Sequence, residues 1–292
     1  MSWRTIVISQ RSKLDLKMGN LVVRTDEIKR IRLDEISIII VENIAVSLTA
    51  CLLNEIVKRK IKLIFCDEKR NPTSELVPLY GSHDCSAKLK NQIQWREDTK
   101  AMVWTAIVAE KINKQSEMLS RIARYSEAQL LKQYISELEF NDSTNREGHS
   151  AKVYFNGVFG KDFSRTQDNS VNSALNYGYS IILSTVNREV VANGYTTKLG
   201  LFHDNMFNFF NLSCDLMEPF RIVVDRIVYE LNSKIFDSDL KHKLIYSLLN
   251  YTIFIDGKEE YFVNGIKVYC RSVLKALNSN DISQICFYDF ID

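Results

Sequence analysis

Two carboxylates and one imidazole, far apart in the chain, form the residue set best suited to metal-ion chemistry. They are Glu147 in REGHSAKVYF, His203 in GLFHDN and Glu218 in DLMEPFR. Two oxygen donors and one nitrogen donor make a hard ligand set that suits Mg2+ or Mn2+. Such an ion polarises a phosphodiester and steadies the oxygen that leaves it. No other cluster in the chain offers comparable chemistry.

Each residue also has a plain structural use, so the local sequence must decide. Glu147 follows a Ser/Thr/Asn-rich break and opens a helix, where an acid is favoured by the helix dipole anyway. Gly148 is a poor helix former, and the reading is that it lets a ligand or backbone approach the carboxylate. A lone histidine in apolar company is more often a core residue than a ligand. Here Gly200 precedes His203, and Asp204 and Asn205 follow, a turn that would expose the imidazole with hydrogen-bonding partners close by. Glu218 precedes Pro219, so a helix should start or kink there, with Glu218 pushed out of αR geometry. At helical spacing Asp215, Glu218 and Arg221 share a face, and Ser213 is available as a cap. Two acids and an arginine around a kink suit a metal with a phosphate beside it. The three ligand positions are expected to be open to solvent.

Other chemistries fail on spacing. Gly157 to Lys161 superficially resembles a phosphate-binding loop, but its glycines are too close and Asp162 follows the lysine. No G-x-S-x-G, H-E-x-x-H or G-x-G-x-x-G occurs. The six cysteines include no C-x-x-C pair and read as buried free thiols, which disfavours structural zinc. No stretch approaches a membrane span and the N-terminus lacks the pattern of a leader, so the expected location is the cytoplasm, with no membrane partner. A net charge of +2 excludes neither DNA nor protein as partner. Residues 88–132 carry nine Lys and Arg against five Asp and Glu, a mild basic bias that a solvated helix face also explains.

The elements that must position these residues fall into two parts. Strand signals run from Trp3 to Ser9, from Lys13 to Arg24 around a turn at Lys17–Asn20, from Ile36 to Val41 and from Ile61 to Cys66, with one helix over Ser47–Lys58. Residues 71–86, with Pro72, Pro78 and Gly81, read as a linker. Beyond it period 3.6 dominates, with two or three helices over 87–140, a polar break at 141–146, helices over 151–193 and 205–250, a hairpin around Asp256-Gly257 and a closing helix over 265–277. The fold class is α+β: a small β-rich N-terminal domain over 1–78 followed by a larger all-helical domain over 79–292.

Taken together, E-G-H-S-A-K-V-Y-F at Glu147–Phe155, N-S-A-L-N-Y-G-Y at Asn172–Tyr179, G-L-F-H at Gly200–His203 and D-L-M-E-P-F-R at Asp215–Arg221 resemble one family. It is the CRISPR-associated endonuclease and integrase of spacer acquisition, the first-numbered protein of CRISPR adaptation, in a form similar to members from type II systems. The resemblance implies a β domain that dimerises and a helical catalytic domain. It implies a divalent metal, Mg2+ or Mn2+, held by Glu147, His203 and Glu218, with Asp215 and Arg221 supporting the site. The activity it implies joins the 3′-hydroxyl ends of short double-stranded DNA fragments into a CRISPR array by transesterification, with a related nuclease reaction. The partners it implies are a second copy of the chain, the small second CRISPR adaptation protein and other type II CRISPR proteins. DNA phosphates would be held by scattered cations such as Lys58, Arg59, Lys60, Lys88, Lys90, Arg96 and Lys100. Two other readings stand beside this one: a non-catalytic DNA-binding scaffold, and a metal-dependent nuclease unrelated to integration.

Overall fold

The structure, a computed structural model, describes residues 4–79 and 82–291. The chain divides into two compact units, Met1–Gly81 and Ser82–Asp292.

In the first unit β1 (Arg4–Ile8), β2 (Lys13–Lys17), β3 (Asn20–Arg24), β4 (Ile28–Arg32), β5 (Ile36–Val41), β6 (Ser47–Leu48), α1 (Ala50–Lys58), β7 (Lys62–Cys66) and β8 (Pro72–Glu75) follow in order. They build two sheets, β1-β5-β7-β8 and β4-β3-β2-β6. β5 lies between β1 and β7 in parallel, and every residue of its run ISIIIV is buried. That explains its nearly continuous apolar sequence, because a strand covered on both faces has no polar side to show; the one polar residue, Ser37, donates its hydroxyl to the Arg4 carbonyl at 3.1 Å. Leu14, Leu21, Ile39, Leu52, Ile56 and Leu63 join one core. Each such side chain contributes roughly 2–3 kcal/mol through the area removed from water. Thr49 caps α1, its side chain accepting from the Leu52 N–H.

Three strands of this unit were not foreseen, among them β6, which occupies the start of the helix expected over Ser47–Lys58. β4, IKRIR, sets two isoleucines among three basic residues on a mostly exposed sheet edge, and its charge hides its strand character. β8 lies inside the expected linker and pairs antiparallel with β7. It is an edge strand whose first residue is Pro72, the position where a missing N–H breaks no ladder. The linker reading over 71–86 is therefore corrected at its start, and at its end a helix begins at Cys85.

The second unit contains α2 (Cys85–Ile93), α3 (Glu97–Arg121), α4 (Tyr125–Ser136), α5 (Arg146–Phe159), α6 (Ser170–Ala192), α7 (Asn211–Met217), α8 (Arg221–Leu231), α9 (Ser238–Asn250), β9 (Thr252–Ile255), β10 (Lys258–Tyr261), α10 (Phe262–Ser279) and β11 (Tyr288–Phe290). β9 sits between β10 and β11 in a small antiparallel sheet. The hairpin turns at Asp256 and Gly257, both at positive φ, as a two-residue turn of this kind demands. This sheet qualifies the all-helical expectation, although helices carry the unit.

α3 is its central element. Trp104, Ile107, Val108, Ile112, Met118 and Leu119 are buried along it, and so are Lys111, Lys114 and Gln115. Cys66 and Cys270 are buried thiols as expected, whereas Cys51 is exposed on α1.

Candidate active site

Glu147 stands in the first turn of α5, and that turn is fastened before the carboxylate is used. Asp142, itself buried, accepts from the Arg146 N–H at 2.7 Å and the Glu147 N–H at 3.1 Å. Asn145 takes the left-handed conformation and caps the Gly148 N–H at 3.3 Å. A Cβ on Gly148 would lie 2.8 Å from the Asn145 side chain. The glycine therefore makes room for the cap, not for a ligand as expected.

Glu218 ends α7 and opens a single 3-10 turn, Glu218–Phe220, that leads into α8. Contrary to expectation it keeps αR geometry, φ −52° and ψ −46°. Pro219 falls in the first turn of a new helical segment, where its missing N–H breaks no bond, so the helices join without a sharp break. Ser213 does not cap; it lies buried inside α7 with no hydrogen-bond partner for its hydroxyl.

His203 lies in the segment before α7, which Asp215 gathers around itself. Its Oδ2 accepts from the N–H of Leu201 at 2.6 Å and of Phe202 at 3.2 Å. Its Oδ1 accepts from the His203 N–H at 3.1 Å and contacts His203 Nδ1 at 2.6 Å. A Cβ on Gly200 would meet the His203 carbonyl oxygen at 2.2 Å, so the tight turn admits only glycine. Trp104 holds the other side, its ring stacked on Phe202 at 4.7 Å and edge-on to His203 at 5.7 Å. The expected partners Asp204 and Asn205 are exposed; the buried Asp215, twelve residues away, does their work.

Two of the three segments, those of Glu147 and Glu218, meet at Lys111 of α3. Its ammonium donates to both Glu147 Oε1 and Glu218 Oε2. Arg221 Nε donates to the other oxygen of Glu218 at 2.9 Å. Glu218 is only 5% exposed, which corrects the expectation of an open ligand. Burial alone drives its carboxyl pKa upward, but Arg221, Lys111 and then His203 outweigh burial and hold it at about 2. The His203 pKa is raised, first by its hydrogen bond to Asp215 and, after the opposing effect of burial, by the charges of Asp215 and Glu218. Burial lowers the Lys111 pKa, yet Glu218 and Glu147 more than reverse this and keep it charged.

Glu147 and Glu218 thus share one cation, and His203 stands within electrostatic reach of Glu218. Among the described residues, however, no group of three His, Cys, Asp or Glu side chains is gathered closely enough to hold a metal. The Lys111 ammonium takes the space between the two carboxylates. The donor set still fits a divalent cation. Two carboxylates already converge on a positive charge, and Asp215 on Nδ1 leaves Nε2 of a neutral His203 as a lone-pair donor, the usual support of a ligating histidine.

Lys111 escaped the sequence reading although a signal existed. Trp104, Val108, Lys111, Gln115 and Met118 follow one helical stripe, and two polar residues interrupt an otherwise apolar face. Of the cations expected on DNA, Arg59, Lys88, Arg96 and Lys100 each pair with a nearby acid.

A family model described as CRISPR associated protein Cas1 matches residues 5–252. A protein named CRISPR-associated endonuclease Cas1, from Neisseria meningitidis serogroup C strain 8013, is 34% identical over 232 residues, 79% of this chain and 76% of that one. The fold is shared with a casposase bound to integration product, with a TM-score of 0.74 and 17% identity over 96% of this chain and 92% of the other. A chain of a Cas6-RT-Cas1–Cas2 complex superimposes with a TM-score of 0.76 and 18% identity; 97% of this chain is covered but only 36% of that longer one.

Proposed function

This chain belongs to the Cas1 family of CRISPR-associated proteins, and we propose that it joins the 3′-hydroxyl ends of short double-stranded DNA fragments into a CRISPR array. The observation that carries this reading is the convergence of Glu147 and Glu218 on one buried cation, with His203 held beside them by Asp215. A related protein with the same fold was captured on an integration product, which supports DNA joining as the reaction.

The reaction is a transesterification. The fragment's 3′-oxygen forms a new bond to phosphorus, and the bond from phosphorus to the 3′-oxygen of the target strand breaks. The proton lost by the first hydroxyl is regained by the second, so no external energy source is needed. With water as nucleophile the same geometry gives strand cleavage. Mg2+ or Mn2+, held by Glu147, Glu218 and His203, would supply charge neutralisation at the phosphodiester. Arg221 fixes one oxygen of Glu218, and Asp215 fixes the tautomer of His203. Lys111 holds the two acids together.

The helical unit is the catalytic one on this reading, and the β-rich unit is the dimer contact. The small second adaptation protein bridges two dimers on this reading; that a chain of the same fold occurs in a Cas6-RT-Cas1–Cas2 complex supports such a partner. The six cysteines, all free, suit a reducing cytoplasm. Among the described residues no helix is long and apolar enough to cross a membrane. The test is incubation of the chain and its small partner with a labelled duplex, a repeat-containing target and Mn2+. Joined, branched product supports the reading. Cleaved ends alone would favour an unrelated nuclease, and tight DNA binding with no product a scaffold.

A further inference from the structure

Beside the acid pair lies a cavity of about 190 Å3 lined by Lys111, Gln115, Glu147, Arg165, Tyr179, Glu218 and Arg221, among others. Three of these residues, Gln115, Arg165 and Tyr179, have no part in the site described above. Arg165, in the loop between α5 and α6, is half-buried and held rigidly. Its guanidinium donates to the side-chain oxygens of Asn172 and Asn176, the latter at 2.6 Å. It also packs against the rings of Phe155 at 5.6 Å and Tyr179 at 5.4 Å. Arg221 lies against the same Tyr179 ring at 4.7 Å. Arg165 makes no close salt bridge among the described residues; Asp225, which lines the same cavity and accepts from the Tyr179 hydroxyl, feels its charge and offsets it only in part. Holding a half-buried guanidinium with neutral amides and ring faces leaves it available to an anion.

Gln115 is the second, independent observation. Its side chain is 1% exposed, and its Oε1 is buried with no hydrogen-bond partner. Its amide makes no side-chain hydrogen bond to any described residue. A buried acceptor without a partner is destabilising, and a hydrogen-bond donor of a ligand in the cavity would relieve it.

We propose that Arg165 and Gln115 form a subsite for one backbone phosphate of the DNA strand, next to the position where Glu147 and Glu218 act. The subsite rests on the integrase reading, since it takes its anion from the same DNA. Arg165 presents a pre-set fork to the phosphate oxygens. Gln115 completes the pocket with its amide: the NH2 donates to a phosphate oxygen, and the unpaired Oε1 accepts from a donor group of the same nucleotide. Binding there fixes the strand against the reacting centre, so loss of either residue weakens DNA binding near the reacting end and lowers joining with it.

The test uses the full-length chain and short duplexes in which single phosphates near the joined end are replaced by neutral methylphosphonates. In the wild type one replacement should weaken binding about ten- to a hundred-fold, as loss of a charged hydrogen bond does. The same replacement should be silent in Arg165→Gln, while the unmodified duplex binds that variant more weakly and with a salt slope smaller by about 0.9. Arg165→Lys should keep the salt slope. Gln115→Met should keep or raise the melting temperature yet bind DNA several-fold more weakly. Wild-type and Arg165→Gln chains equally sensitive to every replacement would overturn the subsite while leaving the integrase reading intact. A wild-type chain that fails to bind any duplex with salt dependence would overturn both.

Discussion

The Lys111 ammonium bonds Glu147 and Glu218 at once, tying α5 to the α7–α8 junction through α3. It stands in for the positive charge that two adjacent carboxylates require. In Lys111→Met the acids lose that charge, and the metal-free chain should lose about 3 kcal/mol, in the range for breaking a buried ion pair. Mn2+ should then bind more tightly than in the wild type, because no ammonium has to be displaced, and should recover the lost melting temperature. Calorimetric titration and thermal unfolding measure both. A Mn2+ affinity below that of the wild type would show that Lys111 helps hold the ion.

Glu147→Ala, His203→Ala and Glu218→Ala should each reduce joining below detection in a gel assay of branched product. Their effects on stability should differ. Glu218 is buried between Lys111 and Arg221, and its removal leaves both cations short of a partner, so Glu218→Ala should also lower the melting temperature. Glu147, 30% exposed in its side chain, should tolerate the change better. Joining at the wild-type rate in any of the three refutes the ligand assignment.

Glu218 also sets an acid limb. Its folded carboxyl titrates at about 2 against an ordinary 4.5. A depressed carboxyl contributes stability that is present above its unfolded value and lost as pH falls through the folded one. The metal-free wild type should therefore lose about 3 kcal/mol from this group between pH 4.5 and 2. The stability gap between wild type and Glu218→Gln should close over that window, as followed by denaturant titration. A gap constant with pH would mean that Lys111 and Arg221 stabilise the amide as well as they do the charge.

Asp215→Asn should act through His203. The amide cannot accept from Leu201, Phe202 and His203 as a carboxylate does, so the turn loosens and the imidazole is no longer fixed. Joining should fall about ten- to a hundred-fold, as loss of an outer partner of a metal ligand does. The His203 pKa should drop, because the hydrogen bond that chiefly raises it is weakened. NMR titration of the metal-free chain reads this directly, and an unchanged imidazole pKa would contradict the assignment.

Joining both ends of a fragment requires two active sites held apart. A fragment of 20–30 base pairs spans roughly 70–100 Å at about 3.4 Å per pair, beyond the reach of one chain. Light scattering should find a dimer at micromolar concentration. Removal of residues 1–81 should give a monomer. A full-length monomer that completes two-ended joining unaided would overturn the assembly.

Local sequence was enough for the partition into a β-rich unit and a helical one, because strand and helix periods are local properties of side-chain order. ISIIIV marked β5 and Asp256-Gly257 marked the β9–β10 hairpin for this reason, whereas IKRIR and the Pro72 strand were hidden because edge strands carry charge and proline. Glu147, His203 and Glu218 were legible as residue types in recognisable segments. Their surroundings were not. Lys111 lies 36 residues from Glu147 and 107 from Glu218, and no sequence period links them. Which helix faces meet is decided when apolar stripes pack, and only then does a lysine on α3 become buried between two acids. The same packing turns Asp215 onto His203 and Arg165 onto Tyr179. Burial and charge pairing are tertiary properties, and they alone determine that Glu218 stays ionised far below the ordinary carboxylate range.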